Sequence, residues 1–422
     1  MISPYRPDGT GGFMSDFSVE AEAGELGFDQ RRLARIDAYL RPFVDDGRLP
    51  GWLMTVSRRG KLVHLSSYGE RDKEAGRPVT TDTVWRLYSM TKPITSVAAM
   101  MLCEEGALSL TDPVAAYLPA FADMRVFTGG SATDPVTEPA RTPITVWHLL
   151  THTAGLTYGF LRGHPVDSIY RAHGFEWGRP KGYDLAACCD AWAAMPLQFE
   201  PGTGWNYSVA TDVLGRVVEV VSGLSLDAFL RTRIFEPLGM TDTAFHVGPA
   251  DTERLAALYV PGPGATATRG DFGPVPTSPP RFLSGGGGLH GTAADYHRFA
   301  RMLLGRGELD GVRLLGSRTV DHMTRDHLPA GVSLKTFGNQ VLGETAAAGS
   351  GFGLGFGVLK DPVALRALAS PGQYAWAGAA TTLFWVDPVE EIIAMFFTQM
   401  LPIGTYPLRT TLGTLVQQAL VD

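Results

Sequence analysis

Apolar residues recur along this chain with two periods, strand-like near both ends and helical between them. Behind Asp29, a residue suited to cap a first turn, Leu33, Ile36, Leu40 and Phe43 return at helical spacing. Residues 52–56 and 62–68 flank Arg59-Gly60 and read as a β-hairpin. A short apolar run, 84–87, leads directly into Ser89. From Thr91 to Glu105 the pattern is helical, and Gly106 closes it as a C-cap.

The middle of the chain changes character. Residues 119–146 are rich in Pro, Thr and Gly, and 158–183 mix Gly, His, Arg and aromatics, so both read as long surface loops. A further Pro/Gly loop is expected over 260–280. Helical patterns occupy 146–151, 185–194, 211–221, 226–234, 293–304 and 318–324. Strands return near the C-terminus. Residues 351–358 alternate glycine with Phe352, Leu354, Phe356 and Val358, and 381–386 and 391–398 flank the turn Asp387-Pro388. Residues 408–420 form a closing helix.

Strands at both ends with helices between predict one antiparallel sheet built from the two ends of the chain. The hairpin connections argue against a doubly wound parallel sheet. The expected organisation is α/β (α+β type): residues 25–108 and 285–422 make the sheet domain with its flanking helices. Residues 109–284 make a mostly helical domain with long loops, and 1–24 a disordered or extended N-terminal segment. A substrate cleft is expected between sheet and insertion.

Composition narrows the function. Hydrophobic residues make up 45% of the 422 and charged residues 19%, the balance of a globular protein and not of a disordered one. A formal net charge of −7 with no basic run argues against nucleic-acid binding. No apolar stretch reaches the roughly 18 residues of a membrane helix, and residues 1–24 lack the apolar core of a signal peptide. Met14 is a second possible start. Cys103, Cys188 and Cys189 show no metal spacing, and buried free thiols fit a cytoplasmic setting.

Lysine is scarce, and of Lys61, Lys73, Lys92, Lys181, Lys335 and Lys360 only Lys92 has a serine three residues ahead of it. Residues i and i+3 share a helix face, so Ser89 and Lys92 point the same way. Ser89 also falls at a helix start, where free N–H groups and the dipole favour negative charge. A serine attacking a carbonyl needs a base and a cradle for the oxyanion, and this position offers the beginnings of both. Ser-x-x-Lys alone is also what a plain N-cap and a solvated lysine would give. The strand before it and the apolar helix after it, with Val97, Met100 and Met101, favour chemistry.

Ser89-Met90-Thr91-Lys92-Pro93 resembles the active-site motif of the serine β-lactamase and penicillin-binding-protein superfamily, in particular the class C β-lactamase-like carboxylesterases of family VIII. The likeness continues in order through Ile144-Thr145-Val146-Trp147-His148-Leu149-Leu150-Thr151-His152-Thr153-Ala154-Gly155-Leu156, Pro201-Gly202-Thr203 before Tyr207-Ser208, Gly286-Gly287-Gly288-Leu289 before Thr292-Ala293-Ala294-Asp295-Tyr296, and Gly353-Leu354-Gly355-Phe356-Gly357-Val358. The resemblance implies a two-lobed class C lactamase-like fold, with Ser89 as the acylated nucleophile and Lys92 helping to activate it. It makes Tyr207 a partner in the base role that later protonates the leaving group. A free phenol titrates at about 10 and a free ammonium at about 10.4. Placed together they act as a pair, and the base function belongs to both.

By the same resemblance Trp376-Ala377-Gly378 stands where lactamases carry Lys-Thr-Gly on a strand edging the site. The Ala379 N–H then joins that of Ser89 as the oxyanion hole, and Gly378 lets the backbone come close. Two departures bear on specificity. Val209 replaces the lactamase asparagine two residues after the tyrosine, and Trp376 replaces the lysine that pairs with a substrate carboxylate. Both favour uncharged esters of short to medium acyl chain over β-lactams.

Other signals carry less. His148 and His152 lie four apart but lack the glutamate of a zinc helix, and read as structural. No G-x-S-x-G elbow occurs. The glycines of 349–357 have no strand-to-helix turn of a dinucleotide site, and His290 reads as a loop histidine. The expected protein is a serine carboxylesterase acting on a small-molecule ester, with no metal or organic cofactor implied. The rivals are a β-lactamase or D-amino-acid amidase or peptidase on the same fold, an acyltransferase, and a non-catalytic binding module.

Overall fold

The computed structural model describes residues 17–273, 275–338 and 348–422. Its main sheet has eight strands, labelled here in chain order: β1 (Gly51–Arg58), β2 (Lys61–Asp72), β3 (Arg77–Pro78), β4 (Ser350–Phe352), β5 (Gly357–Leu359), β6 (Tyr374–Gly378), β7 (Thr382–Asp387) and β8 (Ile392–Phe397). Their spatial order is β4-β5-β6-β7-β8-β1-β2-β3, every described pairing in it antiparallel. The expected joining of the two chain ends occurs at the centre, where β1 pairs β8 from Leu53↔Phe397 to Arg58↔Ile392.

Both faces of these central strands are covered, and side-chain alternation sorts their residues between two cores. Trp52, Met54 and Val56 of β1 and Ile392, Ala394 and Phe396 of β8 pack with α1 (Gln30–Asp45) and the C-terminal helix. Asp29 caps α1 by accepting the Arg31 and Arg32 N–H groups, and Leu33, Ile36, Leu40 and Phe43 are its buried stripe. Leu53, Ile393, Met395 and Phe397 face the opposite core. That side holds α2 (Thr91–Glu104), α3 (Val146–Leu150), α4 (Pro165–Ala172), α5 (Leu185–Ala193), α6 (Ala210–Ser222) and α7 (Ala293–Leu304). The chain closes with α8 (Leu408–Gln417). Helix α2 is buried at every position from Thr91 to Leu102 and packs against α6, which in turn meets α3. No described helix is long and apolar enough to cross a membrane.

Several expectations need correcting. Residues 351–358 are not one strand but the hairpin β4–β5, with Phe352 opposite Gly357. Gly353 and Gly355 sit in its turn because backbone and side chains press on them: a Cβ at 353 would lie 2.2 Å from Met323 O, and one at 355 the same distance from Ser96 Oγ. Within 119–146 the chain forms a ribbon, Arg125–Gly130 with Pro135–Pro139. Within 158–183 it forms α4, whose cap is His164 accepting the Val166 N–H, a residue type outside the usual capping set. Within 260–280, Ala267–Arg269 pairs with Tyr259–Pro261. His290 is not in a loop but in a two-residue strand, His290–Gly291, paired with Trp85–Arg86. Of the segment 1–24, residues 1–16 lie outside the described residues. The rest is laid along β2, with the Glu20 N–H donating to Leu62 O at 2.8 Å.

Several buried histidines, His152 among them, weaken the fold in acid, and two of them show how. His297 on α7 lies 2.9 Å from Ser57 Oγ of β1, and burial, helped by nearby arginines, pulls its pKa from 6.5 to about 3; His290 falls to about 3 chiefly by burial. Both stay neutral when folded yet titrate near 6.5 when unfolded. Their stabilisation is complete above that pH and is lost as pH falls from 6.5 toward 3, at up to about 1.4 kcal/mol per pH unit each. Asp295, raised to about 6 by burial, opposes one of them between about 6 and 3.8. From these three groups alone, urea unfolding should show stability dropping by about 3 kcal/mol from pH 6.5 to 4.5. His297→Asn should flatten that slope by about one proton; an unaltered slope in the variant would contradict the assignment.

Candidate active site

The turn that carries Ser89 is clamped from three sides. Trp85–Arg86 delivers the chain into a 3₁₀ turn, Tyr88–Met90, which runs straight into α2. Leu87 donates its N–H to Leu289 O (3.0 Å), and the Met90 carbonyl accepts from the Tyr296 phenol (3.0 Å). Gly378, the last residue of β6, comes so close that a Cβ there would stand 2.4 Å from Leu87 O. Tyr88 is held at φ +46°, a left-handed conformation costing an L residue roughly 1–2 kcal/mol. Strain of this kind persists where surrounding contacts over-determine the backbone.

Lys92, one turn on, is 1% exposed. Its ammonium donates to Gly286 O at 2.7 Å, the Tyr158 phenol oxygen at 3.0 Å and Ser89 Oγ at 3.4 Å. Three donors thus meet three acceptors. Tyr207 approaches from the segment before α6, and its phenol donates to Ser89 Oγ at 2.6 Å. The Lys92 Nζ lies 4.5 Å from the Tyr207 ring centre. The structure therefore brings Ser89, Lys92 and Tyr207 into mutual reach from two distant segments.

Tyr207 sits inside an aromatic cage. The rings of His152, Tyr158, Trp376 and Trp205 lie 5.0, 5.3, 5.5 and 6.4 Å from its own. The segment 148–157 builds the support beneath. Asn206 donates its N–H to His152 O and its side-chain amide to Leu156 O, both at 3.0 Å. His152 Nδ1 lies 3.1 Å from Ser208 Oγ, and burial holds its ring neutral far below the ordinary histidine range. His148 instead accepts the Thr145 N–H through Nδ1, closing a capping box on α3. Both histidines are thus accounted for by packing and capping.

Trp376 lies on β6, 3% exposed, between the rings of Tyr207 and Phe352. Gly378 takes the next position on that face, against the turn that carries Ser89, and Ala379 follows just beyond the strand. Val209 is buried at the start of α6.

Two participants, Tyr158 and Asp212, were not singled out from the sequence, and Gly286 was read only within the 286–289 run, with no role for its carbonyl. Asp212, in the first turn of α6, is buried and accepts from Ser284 Oγ (2.5 Å) and the Gly286 N–H (3.0 Å). It thereby fixes the residue whose carbonyl holds Lys92. Burial raises the Asp212 carboxyl, while the Lys92 charge and these hydrogen bonds pull it back down. Burial, reinforced by Asp212, keeps the Tyr158 phenol protonated far above its ordinary range. The only available signals were Tyr158 directly behind the 144–156 segment and an acidic residue opening a helix, and neither is specific. By contrast, the open depression lined by Met101, Glu104, Glu105 and Arg233 lies at the far end of α2 and brings no acyl-transfer group.

The contact at Gly378 yields a test. Gly378→Ala forces β6 away from Leu87 and should slow labelling of Ser89 by a fluorophosphonate probe at least tenfold, with the β6–β7 pairing retained by circular dichroism. Labelling at the parental rate would show that this close approach does not position the nucleophile.

The family model described as Beta-lactamase matches residues 36–417. Protein Rv1367c of Mycobacterium tuberculosis (strain ATCC 25618 / H37Rv) is 39% identical over 369 residues, covering 86% of this chain and 89% of that protein. Esterase EstB of Burkholderia gladioli is 34% identical over 386 residues, covering 86% and 90%. Among solved structures, EstCE1, described as a hydrolase with promiscuous acyltransferase activity, superposes with a TM-score of 0.77 at 27% identity, covering 93% of this chain and 99% of its own. The chain belongs to the beta-lactamase family, and it is a serine hydrolase.

Proposed function

We propose that the protein is a carboxylesterase that cleaves short- to medium-chain carboxylic esters through an acyl-enzyme on Ser89. The observation that carries this reading is Ser89 Oγ held 2.6 Å from the Tyr207 phenol and 3.4 Å from the buried Lys92 ammonium. With one proton lost from the pair, the Tyr207 phenolate beside the Lys92 ammonium takes the Ser89 proton as Oγ attacks the ester carbonyl carbon. The tetrahedral oxyanion is cradled by the Ser89 and Ala379 backbone N–H groups, at the start of α2, where the helix dipole favours negative charge. Tyr207 then protonates the departing alcohol. Water repeats the sequence on the acyl-enzyme and frees Ser89.

The preference for esters over lactams rests on Trp376 and Val209. An indole stands where a lysine would pair with a lactam carboxylate, and a valine replaces the amide. The relative EstB carries the name of an esterase, which supports the same choice. The description of EstCE1 supports a second reaction, transfer of the acyl group to an added alcohol in place of water. The unpaired thiols Cys103, Cys188 and Cys189 fit the reducing conditions of the cytoplasm.

Initial rates on p-nitrophenyl acetate, butyrate and octanoate beside a chromogenic cephalosporin test the reading. Fast cleavage of the short esters with little lactam turnover is expected, and Ser89→Ala should abolish it. Tyr207→Phe should lower the acylation rate by about 10²–10⁴-fold. Rapid lactam turnover with poor ester cleavage would replace the esterase with a β-lactamase. A Tyr207→Phe enzyme within tenfold of the parent would move the base role to Lys92 alone.

A further inference from the structure

Three aromatic rings form a stacked row that starts at the catalytic lysine and ends in solvent. Tyr158, which accepts a hydrogen bond from Lys92, stacks on Phe160 with centroids 4.8 Å apart and planes 19° apart. Phe160 stacks on Trp177 at 4.7 Å and 9°. Phe160 is half-buried, while Trp177 is 71% exposed, a large apolar side chain left in water at the open end of the row. A single exposed aromatic needs no explanation. An exposed tryptophan in register with two rings leading to the nucleophile does.

The row is held in place by its surroundings. A Cβ on Gly159, between the first two rings, would lie 2.2 Å from Phe175 O, so the backbones carrying Phe160 and Trp177 are in direct apposition. Arg171 of α4 donates to Gly159 O at 2.6 Å and to Leu161 O at 3.2 Å, fixing the first segment. An Arg162–Glu176 ion pair joins the two segments beside the rings. On the other flank Arg179 lies 5.0 Å over the Phe282 ring, and Phe282 opens the segment that supplies Gly286 O to Lys92. Trp177 is therefore tethered to both segments that touch the catalytic lysine.

Stacked rings offer polarisable surface and little hydrogen bonding, the chemistry that retains another flat apolar ring. We propose that Tyr158, Phe160 and Trp177 form a subsite for an aryl group carried by the ester, so that aryl-bearing esters are preferred substrates. This inference rests on the esterase reading for its substrate. The subsite adds ring recognition at Trp177, outside the groups that move protons.

The test compares 1-naphthyl acetate, with the ring in the alcohol, methyl 1-naphthylacetate, with the ring in the acyl part, and ethyl butyrate, which has none. In Trp177→Ala and Phe160→Ala, KM for at least one naphthyl ester should rise about tenfold with kcat little changed. Ethyl butyrate should stay within twofold of the parent. The naphthyl ester that responds identifies which half of the substrate lies on the row. Unchanged values for both naphthyl esters overturn the proposal, as does an equal loss on all three esters, which would mark a structural role. A second measurement titrates the naphthyl esters into Ser89→Ala with and without Trp177→Ala, read by intrinsic fluorescence. About tenfold weaker binding on loss of Trp177 is expected. Should the parent cleave none of the esters, the esterase reading fails, and this titration decides the subsite alone: Trp177-dependent binding keeps it, and binding indifferent to Trp177, or none, overturns it.

Discussion

A lysine ammonium buried to 1% exposure has to be satisfied on every side, and much of the architecture around α2 serves that requirement. An unpaired charge removed from water costs several kcal/mol. Lys92 avoids the penalty through acceptors from three separate places: Ser89 on its own turn, Tyr158 behind the segment that supports Tyr207, and Gly286 ahead of α7. Asp212 completes the arrangement from α6 by holding the N–H of Gly286 and setting a negative charge nearby. Each acceptor belongs to a segment that also carries or supports a residue of the candidate site. Satisfying the cation and assembling the site are one and the same packing problem.

The same requirement explains why the tyrosine cage is built so densely. The base role proposed for Tyr207 needs distances that do not drift, and a 2.6 Å contact between Tyr207 and Ser89 leaves little room for movement. Rings on several sides and the Asn206 hydrogen bonds beneath hold the phenol in one orientation. The segment from Ile144 to Leu156 is thus a support for the tyrosine loop, which accounts for its two histidines without a metal.

Ser89, Lys92 and Tyr207 were legible because spacing and order along the chain are local properties: a helical repeat, a strand end, a recognisable run of residues. The sheet was legible for the same reason, since hairpins such as β1–β2 are written in neighbouring residues. Tyr158 and Asp212 were not, nor was the role of the Gly286 carbonyl, although the 286–289 run was. Each is an ordinary residue in an ordinary setting, and its role comes from contacts reaching across 66 to 194 positions of chain. The misread β4–β5 hairpin has another cause. Alternating glycines imitate strand periodicity, whereas here they are glycines because Met323 and Ser96 leave no room for a side chain. Helix α4 escaped notice because a histidine caps it.

The pairing of β1 with β8 has a consequence for how the protein comes into being. Strand β1 leaves the ribosome well before its partner, residues 392–397, which emerges only after some three hundred further residues. Until then β1 has β2 on one edge and nothing on the other, and a bare strand edge is open to pairing with a neighbouring chain. Contacts this distant in sequence also form slowly. Strand β6, which presses on the nucleophile turn, arrives just ahead of β8. A nascent chain that already carries Ser89, Lys92 and Tyr207 would accordingly lack the strands that hold their site until residues 374–397 have emerged, and its most vulnerable period is its own synthesis.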